Sequence, residues 1–201
     1  MTLDMRTTLR DATWLNEPPA WSLDDAGLRI TTGPESDFWR DTLYGFRHDN
    51  GHALLVPTQG DFTAFVTFEG GYEALYDQAG ILLRQDEAVW LKAGIEHSDG
   101  VANMSVVATN NASDWSTTAL PALTRPQRLR VTRRVDAVVV QFRNEAHRWQ
   151  LLRVASLKTT GPLRVGPMAC SPLRHGFQAR FTEFRLTAPI ESALHDESPA
   201  D

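Results

Sequence analysis

From Ala53 to Leu186 the chain breaks into short runs that alternate apolar and polar residues with a period of two. Arg128 to Thr132 alternates strictly, and Phe177 to Leu186 does so with a single slip of phase after Phe181. Period-two runs place one set of side chains on a buried face and the other toward solvent, as in half-buried antiparallel strands, and a slip of phase predicts a bulge. The pattern predicts strands over Ala53 to Pro57, Asp61 to Glu69, Gln78 to Arg84, Ala88 to His97, Ala102 to Thr109, Gln127 to Arg133, Ala137 to Phe142, Arg148 to Val154 and Gln178 to Leu186. Between them stand turn signals such as Asp24-Asp25-Ala26-Gly27, Asp49-Asn50-Gly51, Ser98-Asp99-Gly100 and Ser171-Pro172. Short strands at spacings of roughly 8 to 12 residues predict an all-β sandwich or barrel.

Hydrophobic phase also registers the strands between Tyr76 and Thr109. Ala79, Ile81 and Leu83 share a phase, as do Val89, Leu91, Ala93 and Ile95, and a slip of one residue would turn a whole strand over. A three-residue loop, Gln85-Asp86-Glu87, sets Tyr76 opposite Glu96, Gln78 opposite Gly94, Gly80 opposite Lys92 and Leu82 opposite Trp90. The next strand then sets Asn103 beside Glu96 and Ser105 beside Gly94. The outward face carries Tyr76, Gln78, Trp90, Lys92, Glu96, Asn103 and Ser105, with Gly80 and Gly94 as open floor. Lys92 and Glu96, four residues apart on one strand, are separated by roughly 13 Å and need other partners. The face reads either as a ligand surface or as an ordinary solvated sheet.

Composition narrows the classes. The chain of 201 residues carries a formal charge of −5 with its 20 Lys and Arg spread along it, so a nucleic-acid partner is not expected. No run reaches the roughly 18 apolar residues of a membrane helix, and the first ten residues lack the apolar stretch of a signal peptide. A single cysteine, Cys170, after Met168-Ala169, reads as a buried small residue. These features predict a soluble, cytoplasmic protein: one β-sandwich domain over residues 1–190 and a polar tail over 191–201. The arginine-rich segment Gln127 to Arg133 reads as a defended edge strand, which predicts a monomer or weak dimer.

Candidate chemistry is sparse. The six histidines show no metal spacing, and no phosphate loop, dinucleotide motif or nucleophile elbow is present; no cofactor and no metal are expected. Two segments set an acid beside an indole, Asp37-Phe38-Trp39 and Asp114-Trp115. Sugars bind by stacking on aromatic faces while carboxylates and amides take their hydroxyls, so Trp39 and Trp115 are candidate walls; otherwise these are turns whose Trp caps the core. Glycoside hydrolysis requires two carboxyl groups roughly 5 to 9.5 Å apart, and Glu96 is the candidate acid or base. Its prospective partners are Glu73 and Asp77, but Asp77 falls on the opposite phase.

Trp14-Leu15-Asn16-Glu17-Pro18-Pro19, Asp37-Phe38-Trp39-Arg40, Tyr76 to Arg84, Trp90 to Glu96, Ser113-Asp114-Trp115-Ser116 and Gly166 to Pro172 occur in an order that resembles the regulation-of-enolase-type family. That family of unknown function lies in the concanavalin A-like lectin/glucanase superfamily. The resemblance spans residues 8 to 187 or so and implies a jelly-roll sandwich of two curved antiparallel sheets, whose concave face binds or cleaves polysaccharide in other members. Gln78-Ala79-Gly80 and Lys92-Ala93-Gly94-Ile95-Glu96 also look like accessory sandwich domains of some glycosidases. The acidic catalytic strand motif of the glucanases is missing. The expected function is non-catalytic binding of a carbohydrate or sugar-like metabolite, with a regulatory module that holds a metabolic enzyme, or a glycosidase using Glu96, as alternatives.

Overall fold

The computed structural model describes residues 5–123 and 125–196. Strands numbered in chain order form two seven-stranded sheets and a separate hairpin. Sheet A runs β1 (Thr13–Leu15), β6 (His52–Thr58), β15 (Leu163–Cys170), β8 (Gln78–Arg84), β9 (Val89–Ser98), β10 (Val101–Asn110) and β11 (Ala112–Ala119). Sheet B runs β14 (Trp149–Ser156), β13 (Ala137–Arg143), β12 (Gln127–Arg134), β7 (Phe62–Gly70), β16 (Gln178–Thr187), β3 (Gly27–Thr31) and β2 (Ala20–Asp24). The hairpin pairs β4 (Phe38–Arg40) with β5 (Arg47–Asp49).

The main core fills the space between the sheets. Ala79, Ile81, Leu83, Leu91, Ala93 and Ile95 of sheet A meet Val66, Phe68, Leu129, Val131, Val140 and Phe181 of sheet B. Each large apolar side chain buried there contributes about 1.5–3 kcal/mol relative to exposure. The slip of phase in β16 is a bulge, with the pairing to β7 shifting between Phe181 and Glu183.

Register differs from expectation by two residues at β8 and β9, where Gln78 pairs with Glu96, Gly80 with Gly94, Leu82 with Lys92 and Arg84 with Trp90. The connection is longer than three residues because Asp86 folds it: its Oδ1 accepts from the backbone N–H groups of Ala88 and Val89 at 2.8 and 2.9 Å. A slide of two leaves every side chain on its expected face. Asn103 lies opposite Glu96 and Ser105 opposite Gly94, as expected.

Three other expectations change. Strand β12 is paired on both sides, with β13 and β7, so it is no edge and lends no support to a monomer. Strand β15, absent from the periodicity, lies inside sheet A between β6 and β8. The stretch expected as a polar tail is docked at its start: Ala193 is buried and Asp196 pairs with Arg130 at 2.6 Å. Residues 197–201 of that stretch lie outside the described residues, as do 1–4 of the amino terminus.

Candidate functional site

The outer face of sheet A is covered, which the alternation did not reveal. Phe38 and Trp39 from the hairpin pack with Leu55, Leu82, Trp90, Val107 and Met168 into a second apolar cluster. Polar ties hold the hairpin down. Asp49 takes a two-point contact from Arg84, with Nη2 to Oδ2 at 2.8 Å, and Arg40 N–H donates to Ser113 Oγ at 2.9 Å.

Asp37, just before β4, places its carboxylate over the middle of β9. Its Oδ1 accepts from Lys92 Nζ at 2.9 Å, from Phe38 N–H at 2.7 Å and from Gln78 Nε2 at 3.2 Å. Lys92 therefore finds its counter-ion 55 residues away rather than in Glu96. Burial acts against its charge, but the neighbouring carboxylates of Asp37 and Glu96 outweigh this and hold its pKa above the ordinary lysine value. Glu96 is nearly buried, and loss of hydration raises its pKa above the usual carboxylate range against the pull of Lys92 and Ser105. Ser105 Oγ donates to Glu96 Oε2 at 2.7 Å and accepts from Trp115 Nε1 at 3.0 Å. The indole, the hydroxyl and the carboxyl form one chain.

Beside this polar floor opens a cavity of about 470 Å³, within the range of small-molecule sites. Trp39 and Trp115, from segments far apart in sequence, meet edge to face with ring centroids 6.3 Å apart and planes at 89°. Tyr76 stands against Trp115 at 6.4 Å, and Tyr44 against Trp39 at 5.8 Å. Tyr44 stacks on Phe46 at 5.2 Å. A hydrogen bond with Tyr44, with burial second, pushes the Tyr76 phenol up to about 12. Tyr76 lies before β8 with φ 65° rather than in the strand, which turns its ring into the cup.

Of the expected face, Tyr76, Lys92, Glu96, Trp39 and Trp115 line this cup, while Ser105 lies beneath Trp115. The rest have other positions. Trp90 is 1% exposed, with its ring 6.0 Å from Phe38, so the hairpin makes it a core residue. Asn103 turns back to Ser98 and Val101 and closes its own hairpin turn. Gln78 is buried and serves Asp37. Gly80 and Gly94 do not provide open floor: a Cβ on Gly94 would lie 2.0 Å from Ala79 O and one on Gly80 2.0 Å from Ala93 O, and the void beside Gly94 is only about 10 Å³. They permit close approach of two backbones.

Neither acid considered beside Glu96 reaches the cup. Asp77 is fully buried, accepts from the N–H groups of Glu73 and Ala74, and pairs with Arg174 at 2.6 Å; Glu73 is exposed beside the same arginine. The acids that share the cup with Glu96 are Asp37 and Glu35, of which Asp37 is the one bonded to Lys92. Asp114 turns away to Arg153 at 2.6 Å. Tyr44, Phe46 and His48 also line the cup and were missed, since the short hairpin that carries them shows no long alternation. Cys170 is buried as expected, and burial raises its thiol pKa.

Two large antiparallel sheets packed on a shared core make this a concanavalin A-like sandwich, as the likeness to solved structures shows. Two solved structures share this architecture. One is a legume lectin-like domain from Entamoeba histolytica: TM-score 0.64, 9% identity, covering 94% of this chain and 96% of that one. The other is a mutant of the GH43 protein BlXynB from Bacillus licheniformis: TM-score 0.67, 20% identity, covering 94% of this chain and 40% of that one. The chain belongs to the family described as protein of unknown function (DUF1349), whose model matches residues 14–189. It is 46% identical over 192 residues to Regulation of enolase protein 1 of Saccharomyces cerevisiae, covering 96% of this chain and 97% of the yeast protein. No helix among the described residues is long and apolar enough to cross a membrane.

Proposed function

We propose that the chain binds a carbohydrate or sugar-like metabolite in the cup, with Trp39 and Trp115 against its C–H faces and Asp37, Lys92 and Glu96 on its hydroxyls. The unused bonding capacity of the floor carries this reading. Lys92 Nζ, with three donors, makes one hydrogen bond, and Asp37 Oδ2 and Glu96 Oε1 accept none from the described residues. A hydroxyl both donates and accepts, so a vicinal diol can bridge the ammonium and a carboxyl oxygen, a match that a purely cationic or anionic group lacks. The lectin-like neighbour supports the same direction. The proposal places the protein in a reducing compartment such as the cytoplasm, where its single, buried Cys170 remains a thiol.

Titration with a panel of mono- and oligosaccharides, followed by Trp fluorescence and melting temperature, tests it. Binding that Lys92→Ala and Glu96→Ala each weaken is the expected result. A panel that moves neither signal counts against the reading.

A second reading, a module that holds a metabolic enzyme, rests on exposed apolar residues at the cup: Leu173 is 63% exposed, Tyr44 and Phe46 are half-exposed, and Leu43, next to Tyr44 in the chain, is 86% exposed. The name of the yeast relative makes enolase the first partner to test. Co-sedimentation with enolase that a Leu43→Ser, Leu173→Ser double variant abolishes would favour this reading over the first. The third, a glycosidase with Glu96 as acid or base, gains from Asp37 sharing the cup. It requires aryl-glycoside turnover that Glu96→Gln removes.

A further inference from the structure

A second cleft, of about 620 Å³, opens between the β11–β12 connection and the β13–β14 turn. One wall is apolar, with Leu120, Pro121 and Phe142; the other carries Arg125 and Arg143, with the exposed carboxylate of Glu145 on the turn beside them. No carboxylate pairs with either arginine among the described residues, although the protein as a whole is acidic, at −5.

The two arginines are short of acceptors. Arg125 Nη2 donates to Asn144 O at 2.7 Å, while its Nη1 points at His147 Nε2 from 3.3 Å. Arg143 Nη2 contacts the other ring nitrogen of the same histidine, Nδ1. Arg143 Nε is buried and has no hydrogen-bond partner among the described residues. Both arginines lie against His147 rather than against a carboxylate.

We propose that this cleft binds a small phosphate monoester, with the phosphate between Arg125 and Arg143 and the organic part against Leu120 and Phe142. A phosphate supplies several acceptor oxygens in the geometry that the planar guanidinium fork matches, and its charge offsets both cations. The apolar wall distinguishes an organic ester from free phosphate. The cleft is separate from the cup, so this inference stands or falls independently of sugar binding.

Equilibrium dialysis and thermal shift with inorganic phosphate and phenyl phosphate, each against sodium chloride at matched ionic strength, test the proposal on the full chain. The expected result is saturable binding of both, tighter for phenyl phosphate. Arg125→Gln and Arg143→Gln should each weaken it roughly ten- to a hundredfold, the loss of a charge-assisted contact, while Arg10→Gln leaves it unchanged. Arg143→Lys keeps the charge without the fork and should fall between. Circular dichroism below the melting transition confirms that each variant is folded, and dialysis at that temperature reads binding without reference to stability. A response equal to that of chloride, or one that survives both Gln variants, overturns the site. Equal affinity for phenyl phosphate and inorganic phosphate overturns the assignment of an organic ester.

Discussion

Lys92 Nζ lies 2.9 Å from Asp37 Oδ1, and this bond between a strand of sheet A and the hairpin above it joins a 4% exposed ammonium to a 14% exposed carboxylate. The two ends of the pair are not equivalent. Removal of the carboxylate in Asp37→Ala leaves a buried cation without a counter-ion, at a cost of about 3–5 kcal/mol. Removal of the cation in Lys92→Met leaves Asp37 Oδ1 its bonds from Phe38 N–H and Gln78 Nε2, so the cost should be smaller, about 1–3 kcal/mol. Urea denaturation of the two variants measures the difference; equal losses would show that the backbone and amide donors do not hold the carboxylate.

Glu96 makes stability depend on pH with a definite sign. Burial raises its folded pKa above the ordinary value of 4.5, so the folded chain holds this proton more tightly than the unfolded one. The resulting stabilisation is full below the unfolded value and is lost as the pH rises through the folded one. Glu96→Gln cannot titrate. The stability of the wild type relative to Glu96→Gln should therefore fall as the pH rises from about 4.5, and a difference that is flat or rises there would contradict the buried, proton-favouring environment.

How much of this was legible in the sequence varies by element. Lys92, Glu96 and Ser105 were assigned to one face because face depends only on alternation, and the two-residue slide at Asp86 preserved it. What covers that face was not legible: Asp37 acts on Lys92 from 55 positions away, and a strand as short as β4 carries no periodic signal of its own. Covering turned Trp90 and Gln78 from surface into core. Strand β15 was hidden by Gly166-Pro167 at its centre, since proline lacks a donor and argues against an inner strand. The structure accommodates it where the pairing of β15 with β6 is interrupted between Val165 and Met168, and Gly166 allows the Leu54 carbonyl to approach. The arginines of β12 read as edge protection, yet Arg130 is 1% exposed and lies 4.6 Å from the Trp149 ring, a partner that comes from a different strand.

Gly80 and Gly94 face each other across β8 and β9, and an added methyl has nowhere to go. In Gly94→Ala the Cβ would lie 2.0 Å from Ala79 O and 2.8 Å from Gly80 Cα, both backbone atoms that move only if the strands part. A loss of about 1–3 kcal/mol is expected from such overpacking. At Gly71 nothing lies within 4 Å of the same atom, so Gly71→Ala should stay within about 0.5 kcal/mol. Thermal melts of the pair distinguish close backbone approach from a general preference for glycine in this protein.

The segment after β16 closes the outer face of sheet B, and its contribution can be isolated. Ile190 N–H donates to Thr63 Oγ1 at 3.0 Å, Gln141 Nε2 to Ala193 O at 2.8 Å, and Arg130 Nη1 to Asp196 Oδ2 at 2.6 Å. A chain that ends at Pro189 loses all three and leaves Arg130 with Gln141 and the Trp149 ring as partners, at a cost of about 1–3 kcal/mol. Most of that cost should belong to the stranded guanidinium rather than to lost apolar cover. Arg130→Met, which needs no partner, should therefore destabilise the full chain but recover stability in the truncated one. A double-mutant cycle measured by denaturation reads this coupling directly. Additive effects of truncation and Arg130→Met would show that the segment holds the sheet by packing of Ile190 on Phe65 and Trp149 rather than through its aspartate.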